Sequence, residues 1–264
     1  MTWLLPTALL LALLLSLAMT GAWVVARKPG QEGWTDATWS FASAAGGVIG
    51  ALLPLGEAPG ARQWLAAAMA AAWGLRLGTH ITQRNLKDAG DPRYAALKEE
   101  WGAKADVRLF GFLQVQALCG WVLAMAVTLA AHNPAAAFAW SDVAGVVLFG
   151  GALLGETVAD RQMAAFRRKA ANKGKIADTG LWGLSRHPNY FFEWLGWWSY
   201  PLLAIGPAAV WGWGWATLAA PAMMYWLLVH ASGIPPLEQS MLKSRGGAFR
   251  DYQRRVRAFF PIPK

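Results

Sequence analysis

The stretch Gly180-Leu-Trp-Gly-Leu-Ser-Arg-His-Pro-Asn-Tyr-Phe-Phe-Glu-Trp-Leu-Gly-Trp-Trp-Ser199 joins a strongly basic segment to a hydrophobic one. Pro188 disfavours helix at the residue before it and suits a first helical turn, so we predict that a helix begins just after His187. Asn189 and Glu193, four residues apart, share one face of that helix. The unpaired N–H groups at its start point back at the preceding loop. The stretch therefore predicts an anion-binding site where water gives way to lipid.

Two interpretations of this stretch are open. Glu193 is costly inside a membrane unless it faces a cavity or finds a donor, which makes it a functional-site candidate. Arg186, His187, Asn189 and Tyr190 complete a cluster of five polar side chains with it. In the alternative, Arg186 and His187 hold lipid headgroups while Glu193 ties two helices together. The clustering favours the functional interpretation, because the alternative leaves it unexplained.

The composition is that of a membrane protein. The chain has 264 residues, of which 56% are hydrophobic and 15% charged, and it contains 17 Trp. Its net charge of +9 would suggest nucleic acid in a soluble protein, but the positions of the charges argue against such a partner. The single cysteine, Cys119, lies in an apolar run and is interpreted as a packing residue. The apolar start, Thr2–Val25, is longer than the core of a signal peptide and predicts a first spanning helix.

Seven apolar segments are long enough, or nearly so, to cross a bilayer, which predicts an all-α integral membrane protein with seven transmembrane helices. They are Thr2–Ala26, Ala37–Leu55, Trp64–Ile81, Leu109–Ala131, Val143–Val158, Tyr190–Ile205 and Ala208–His230. With the N-terminus outside and the C-terminus in the cytoplasm, 22 of the 24 Lys and Arg residues fall on the inner side. Cytoplasmic loops carry an excess of basic residues, so we predict this orientation.

The fifth helix leaves the membrane with acids and bases along it. Glu156 and Asp160 share a face, and carboxylates there are suited to hold ribose hydroxyls. A positive-inside anchor would explain the bases that follow, but it would not explain the acids. The bases available for phosphates are Arg167, Arg168, Lys173 and Lys175.

Helices two and three also carry polar residues. Asp36 stands at the start of helix two, where it either caps the helix or faces a substrate pocket. Arg76, His80 and Arg84 recur every four residues and line one face of helix three. Charges on such a stripe do not face lipid, so we predict that they face a wet interior or a cofactor. A lone histidine is more often structural, but its place in the stripe favours function.

The remaining polar segments give further predictions. The loop Asn85–Arg108 reads either as a short amphipathic helix at the membrane surface or as a solvated connector. Gln114 and Gln116 predict hydrogen bonds between helices. Tyr252 lies among bases in a tail that is predicted either to fold back under the basic loop or to anchor at the membrane surface. The chain has no glycine fingerprint of a dinucleotide-binding fold, no P-loop and no metal-ligand spacing.

Three motifs carry a family resemblance. The first is Gly-Leu-Trp-Gly-Leu-Ser-Arg-His-Pro-Asn-Tyr-Phe-Phe-Glu, the second is Asp160…Arg167…Asn172-Lys-Gly-Lys175, and the third is Ser-Gly-Ile-Pro-Pro-Leu-Glu…Tyr-Gln-Arg-Arg…Phe-Phe-Pro. Together they resemble the steroid 5α-reductase family, and most of all its bacterial branch. The likeness covers the chain well from Glu156 to Pro263. The Arg-His-Pro-x-Tyr core is also similar to membrane isoprenylcysteine methyltransferases, which use S-adenosylmethionine.

The resemblance implies a multi-pass reductase of a bacterial inner membrane that binds NADPH and reduces the 4,5 double bond of a 3-oxo steroid or a similar lipophilic enone. It implies one domain, residues 1–264, with the substrate pocket mainly in helices one to four and the cofactor site mainly in residues 156–264. His230 and Glu238 align roughly with cofactor positions of the family, and Glu156 stands where its animal members have Asn. The whole predicted cofactor site is Glu156, Asp160, Arg167, Arg168, Lys175, Arg186, His187, Asn189, Tyr190, Glu193, His230, Glu238 and Tyr252.

The predicted catalytic residues are His80 and Asp36. In the family, a Glu and a Tyr hold the substrate ketone; here the Glu aligns approximately with Asp36, and the Tyr falls at Ile81, beside His80. Conjugate reduction needs a donor aimed at the carbonyl oxygen, and we assign this donor to His80 with Asp36 orienting it. A histidine donor predicts that activity falls at alkaline pH. The rival hypotheses are an S-adenosylmethionine-dependent methyltransferase, disfavoured by the many bases, and a scaffold without enzymatic activity, for which intramembrane acids are needless.

Overall fold

The structure is a computed structural model that describes residues 2–54, 59–86, 92–135, 137–206 and 211–264. Within these ranges the chain is helical and forms no strand, which confirms the predicted all-α fold class. Short 3-10 segments join several helices, and Leu227–Ala231 forms a π-helical turn. The α-helices are α1 Leu4–Ala26, α2 Trp34–Leu52, α3 Ala61–Asn85, α4 Pro92–Trp101, α5 Ala105–Ala131, α6 Trp140–Arg168, α7 Pro188–Trp197, α8 Ser199–Ile205, α9 Ala219–Trp226 and α10 Ile234–Arg255.

Several helices have the length and composition of membrane spans. The 23 residues of α1 extend about 34 Å, which exceeds the hydrocarbon thickness of about 30 Å. Leu5, Leu9, Leu13 and Leu17 project from α1 with more than half of each side chain exposed, as suits a surface in contact with lipid tails. The chain thus has the elements of a multi-pass membrane protein. Four described stretches are long and apolar enough to cross a membrane: Leu4–Ala26, Arg93–Ala131, Trp140–Arg168 and Gly212–Arg255.

The first five predicted spans each coincide with a helix, namely α1, α2, α3, α5 and α6. The Gly- and Ala-rich helices α2 and α3 are not among the four stretches above. Small residues allow these two helices to pack closely: a Cβ added at Gly74 of α3 would overlap Ala44 of α2. The predicted end of the second span, Leu55, lies outside the described residues.

The sixth predicted span, Tyr190–Ile205, is not one helix. A turn at Trp198 separates α7 from α8. Pro201 is the third residue of α8, and a proline ring clashes with the carbonyl four residues earlier, here that of Trp197. The apolar run alone predicts one helix here, but Pro201 interrupts its hydrogen bonding.

The seventh predicted span, Ala208–His230, is also interrupted. Its first three residues lie outside the described part of the chain. A 3-10 segment, Gly212–Leu218, then leads into α9, and a π-helical turn follows α9. Pro221 lacks the N–H that would bond to the Thr217 carbonyl, so a regular α-helix does not extend through this point.

The chain forms two compact units. Unit 1 is Met1–Ala139 and Leu203–Ala219, and unit 2 is Trp140–Leu202 and Ala220–Lys264. In unit 1, residues on one face of α1 pack against α5; this core includes Leu11, Leu15, Met19, Leu109 and Leu113.

In unit 2, α6 packs along α7, and Phe249, Tyr252 and Val256 form a small core with half-buried neighbours. The charged helix α10 belongs to this unit and bends at Gly246, where φ is 50°. Hydrocarbon does not accommodate many charges, so the part of the candidate stretch Gly212–Arg255 that is suited to cross a membrane precedes α10. The charged residues of α10 are Glu238, Lys243, Arg245, Arg250, Asp251, Arg254 and Arg255.

Candidate functional site

The start of α7 has the predicted geometry. The helix begins at Pro188 with His187 as its N-cap. The backbone N–H of His187 donates to Ser185 Oγ at 3.1 Å. Its imidazole stacks on the ring of Tyr190, with centroids 5.6 Å apart and planes 11° from parallel. The ring is thereby fixed against the first turn of α7.

Arg186, His187, Glu238 and Gln253 form a group that we call the Arg186 clamp. Arg186 donates to both carboxylate oxygens of Glu238, from Nε at 2.7 Å and from Nη2 at 3.0 Å. Its Nη1 donates to the Val256 carbonyl at 2.5 Å. Glu238 also accepts hydrogen bonds from His187 Nε2 at 3.1 Å and from Gln253 Nε2 at 2.7 Å. The positive charge of Arg186 is paired with the negative charge of Glu238, and this pairing holds the loop before α7 against α10.

The protonation of the clamp follows from these contacts. Burial alone would raise the pKa of Glu238, but the hydrogen bonds from His187, Arg186 and Gln253 outweigh it and lower the pKa from 4.5 to about 2. Glu238 is therefore a carboxylate at neutral pH. Burial raises the pKa of Tyr252, whose hydroxyl stays protonated and acts as a donor.

The C-terminal tail folds back on the basic loop, as predicted for one of its two alternatives. The backbone N–H of Arg186 donates to the Arg257 carbonyl at 2.8 Å. Tyr252, almost fully buried, donates from its hydroxyl to the Trp182 carbonyl at 2.5 Å. These bonds give Tyr252 and the Arg186 clamp a positioning role, because their polar atoms are occupied within the protein.

The acids of α6 meet the polar face of α7. Asn189 Nδ2 donates to Asp160 Oδ1 at 3.3 Å, so the structure brings these two predicted residues together. Glu156 and Glu193 are buried, with 5% and 6% of their surfaces exposed. Gly155 permits this close packing, since a Cβ there would overlap the ring of Phe192.

Two residues that the sequence analysis did not single out extend the buried face of Glu193. Trp197 Nε1 donates to Glu193 Oε1 at 3.1 Å, and the ring of Trp197 contacts that of Tyr200 with centroids 5.4 Å apart. Tyr200 is 1% exposed, and its hydroxyl has no hydrogen-bond partner among the described residues. Trp197 and Tyr200 lie four and seven residues after Glu193, a spacing that places all three on one face of a helix and that is visible in the sequence.

The candidate phosphate ligands lie at the end of α6 and in the segment after it. Arg167 and Arg168 form the last turn of α6, and Lys175 follows the short turn after the helix. All three are exposed, and none forms an ion pair with a carboxylate of the described residues. Lys173 is exposed in the same way. The last turn of α6 and the segment after it thus form an exposed basic surface.

His230 lies in the π-helical turn before α10. Its ring contacts Tyr225 edge-on, with centroids 5.7 Å apart. π-Turns are frequent at functional sites, which is consistent with the predicted cofactor role. The structure does not bring His230 into the Arg186 clamp, although Glu238 lies eight residues further along the chain.

The two predicted catalytic residues belong to unit 1. Asp36 is not the cap of α2, because the helix begins two residues earlier, at Trp34. Its carboxylate accepts from Arg93 Nη2 at 2.5 Å and from the Tyr94 hydroxyl at 2.8 Å. These bonds tie α4 to α2. His80 is exposed on α3, which extends through the whole predicted stripe.

Unit 1 also shows what the polar residues between Asn85 and Arg108 do. A helix, α4, forms there, as one of the two alternatives predicted, and Tyr94 on it accepts from Gln116 Nε2 at 3.1 Å. Gln114 accepts from Ser16 Oγ at 2.7 Å, so both glutamines join helices as predicted. The acids Asp88 and Asp91 lie outside the described residues.

Within the described residues, the fold and the site define a helical chain with membrane-span-like helices and a polar site at the start of the shorter helix α7. The chain matches the family described as a protein of unknown function (DUF1295) over residues 22–256. It belongs to that family. No curated protein and no solved structure matches it.

Proposed function

We propose that this protein is a membrane reductase that uses NADPH to reduce the carbon–carbon double bond of a lipophilic enone, such as a 3-oxo steroid with a 4,5 double bond. The proposal includes seven transmembrane helices, an outside N-terminus and a cytoplasmic C-terminus in a bacterial inner membrane. One observation carries it: α6 holds the buried carboxylate of Glu156 along its length and ends in two exposed arginines that pair with no described carboxylate. A ligand with phosphates at one end and an uncharged polar head at the other fits that arrangement.

Unit 2 contains bases suited to the phosphates of NADPH and carboxylates suited to its ribose hydroxyls. Arg167, Arg168 and Lys175 are available for phosphates, because no described carboxylate pairs with them. Glu156 and Asp160 are suited to accept hydrogen bonds from ribose hydroxyls.

In the proposal, the start of α7 positions the nicotinamide end of NADPH. Asn189 and Tyr190, in the first turn of α7, contact this end of the cofactor, and so does His230 from the π-helical turn. Glu193 accepts from the nicotinamide amide. The Arg186 clamp and Tyr252 fix the loop and are assigned no contact with the cofactor.

The reaction follows from enone chemistry. The cofactor, when bound, supplies a hydride. Addition of hydride to the β-carbon of the enone breaks the carbon–carbon π bond and places negative charge on the carbonyl oxygen, and the α-carbon then takes a proton from water. We propose His80 as the donor to that oxygen; Asp36, held by Arg93 and Tyr94, is then a positioning residue. A donor of this kind is worth about 2.7–4 kcal/mol of barrier.

The test is turnover with enone lipids. Purified protein in lipid nanodiscs is given NADPH deuterated at the hydride-donating carbon and a panel of steroid and isoprenoid enones. We expect enone-dependent NADPH oxidation and deuterium on the β-carbon of the saturated product. A parallel reaction contains S-adenosylmethionine labelled in its methyl group. Label in a lipid product, without NADPH oxidation, would contradict the reductase and favour the methyltransferase.

A further inference from the structure

A buried stripe runs from the start of α7 into α8. Glu193, Trp197 and Tyr200 follow one another at spacings of four and three residues, so they share a helical face across the turn at Trp198. All three side chains are buried. Trp197 contacts both of the others: its Nε1 donates to Glu193 Oε1, and its ring packs on that of Tyr200.

The Tyr200 hydroxyl is costly in this position. It is shielded from solvent and has no hydrogen-bond partner among the described residues. A buried hydroxyl without a partner destabilises the folded state, and a phenylalanine of nearly the same shape would avoid that penalty. We therefore expect a bound ligand to supply the hydrogen-bond partner of the Tyr200 hydroxyl.

A carboxylate beside a hydroxyl matches a primary carboxamide. The amide offers N–H donors and one carbonyl acceptor, while Glu193 can only accept and Tyr200 can donate. A carboxylate accepts several hydrogen bonds, and the one from Trp197 Nε1 goes to Oε1 of Glu193.

We propose that Tyr200 donates to the carbonyl oxygen of the nicotinamide carboxamide while Glu193 accepts from its nitrogen. This inference rests on the proposed NADPH function and deepens it. The Tyr200 hydroxyl is covered in this structure, so the proposal requires that it becomes accessible when the cofactor binds. Tyr200 is thus a positioning residue that orients the nicotinamide ring.

The experiment compares NADPH with two analogues: in one, sulfur replaces the carboxamide oxygen, and in the other, a methyl group replaces the carboxamide nitrogen. The dissociation constants of NADPH, its thionicotinamide analogue and its 3-acetylpyridine analogue are measured by calorimetry on the protein in nanodiscs. Sulfur is a weak acceptor, so the thio analogue should bind the wild type about three- to tenfold more weakly. The acetyl analogue lacks the N–H donors and should bind more weakly as well.

The variant Tyr200→Phe separates the two bonds. We expect it to bind NADPH about three- to tenfold more weakly and to lose the discrimination against the thio analogue, while keeping that against the acetyl analogue. Without ligand, its melting temperature should equal or exceed that of the wild type, because an unpartnered hydroxyl is removed. The matched control Tyr225→Phe, on α9, should leave the analogue series unchanged.

The outcomes are distinct. If the wild type binds NADPH and Tyr200→Phe retains both its affinity and its discrimination, the inference is wrong and the proposed function stands. Equal binding of NADPH and the thio analogue by the wild type would also overturn the inference, even if the variant did not fold. If the wild type binds no NADPH, the proposed function itself fails.

Discussion

Arg186 and Glu238, 52 positions apart in the chain, form a two-bond ion pair that joins the loop before α7 to α10. Their side chains are only 10% and 13% exposed. An ion pair so shielded from water is costly to break on one side, because the remaining charge is left buried. The pair explains how the charged helix α10 holds the loop before α7 in place.

The first prediction concerns this pair. Glu238→Ala should lower the free energy of unfolding by about 3–5 kcal/mol, since it leaves Arg186 buried without its carboxylate. The measurement is thermal or denaturant unfolding in detergent. The matched control is Asp251→Ala, which removes the exposed ion pair with Arg254 and should cost less than about 1 kcal/mol. Equal losses in the two variants would contradict a stabilising clamp.

The second prediction concerns pH. The folded pKa of Glu238, about 2, lies below its ordinary value of 4.5, so its stabilising contribution is complete above pH 4.5 and is lost as pH falls towards 2. At about 1.4 kcal/mol per unit, the loss amounts to about 3 kcal/mol. Unfolding of the wild type and of Glu238→Gln, followed from pH 6 to pH 2, should therefore converge at the acid end. A difference that stays constant would contradict the assignment.

The third prediction concerns the basic surface. The double variant Arg167→Gln, Arg168→Gln should raise the Kd for NADPH at least about tenfold, because two phosphate-pairing charges are lost. The effect should shrink at high salt, which screens exposed charges. Lys243→Gln on α10 removes one exposed charge outside the proposed site and should leave the Kd unchanged. A similar Kd in the double variant would remove these arginines from the cofactor site.

The fourth prediction concerns the proton donor. His80→Phe should lower kcat about a hundredfold or more and leave the Kd for NADPH unchanged, since the donor acts on the substrate oxygen. Thr79→Val, at the neighbouring exposed position of α3, is the control and should retain wild-type turnover. An unchanged kcat in His80→Phe would exclude this histidine from the mechanism.

Local features of the site were predictable from the sequence. Pro188 marks the start of α7 because a proline restrains both itself and the residue before it. Gln114 and Gln116, polar residues on an apolar helix, needed partners on other helices and found them. In both cases the physical cause lies within a few residues.

Pairings over long sequence distances were not predictable. Asp36 was predicted either to cap α2 or to face a substrate pocket, whereas its carboxylate accepts hydrogen bonds from Arg93 and Tyr94, about sixty positions away. The Arg186–Glu238 pair was missed for the same reason: many bases and acids were available, and only the packing of α10 selects between them. Pro201 was visible, but its effect on α8 was outweighed in our prediction by the apolar run around it.

The most direct measurement is the melting temperature of the purified protein with NADPH and, separately, with S-adenosylmethionine. A ligand at a hundred times its Kd stabilises the folded state by about 2.7 kcal/mol, which is readily measured. The account predicts that NADPH raises the melting temperature and that S-adenosylmethionine leaves it unchanged. A rise with S-adenosylmethionine alone, or with neither ligand, would contradict it.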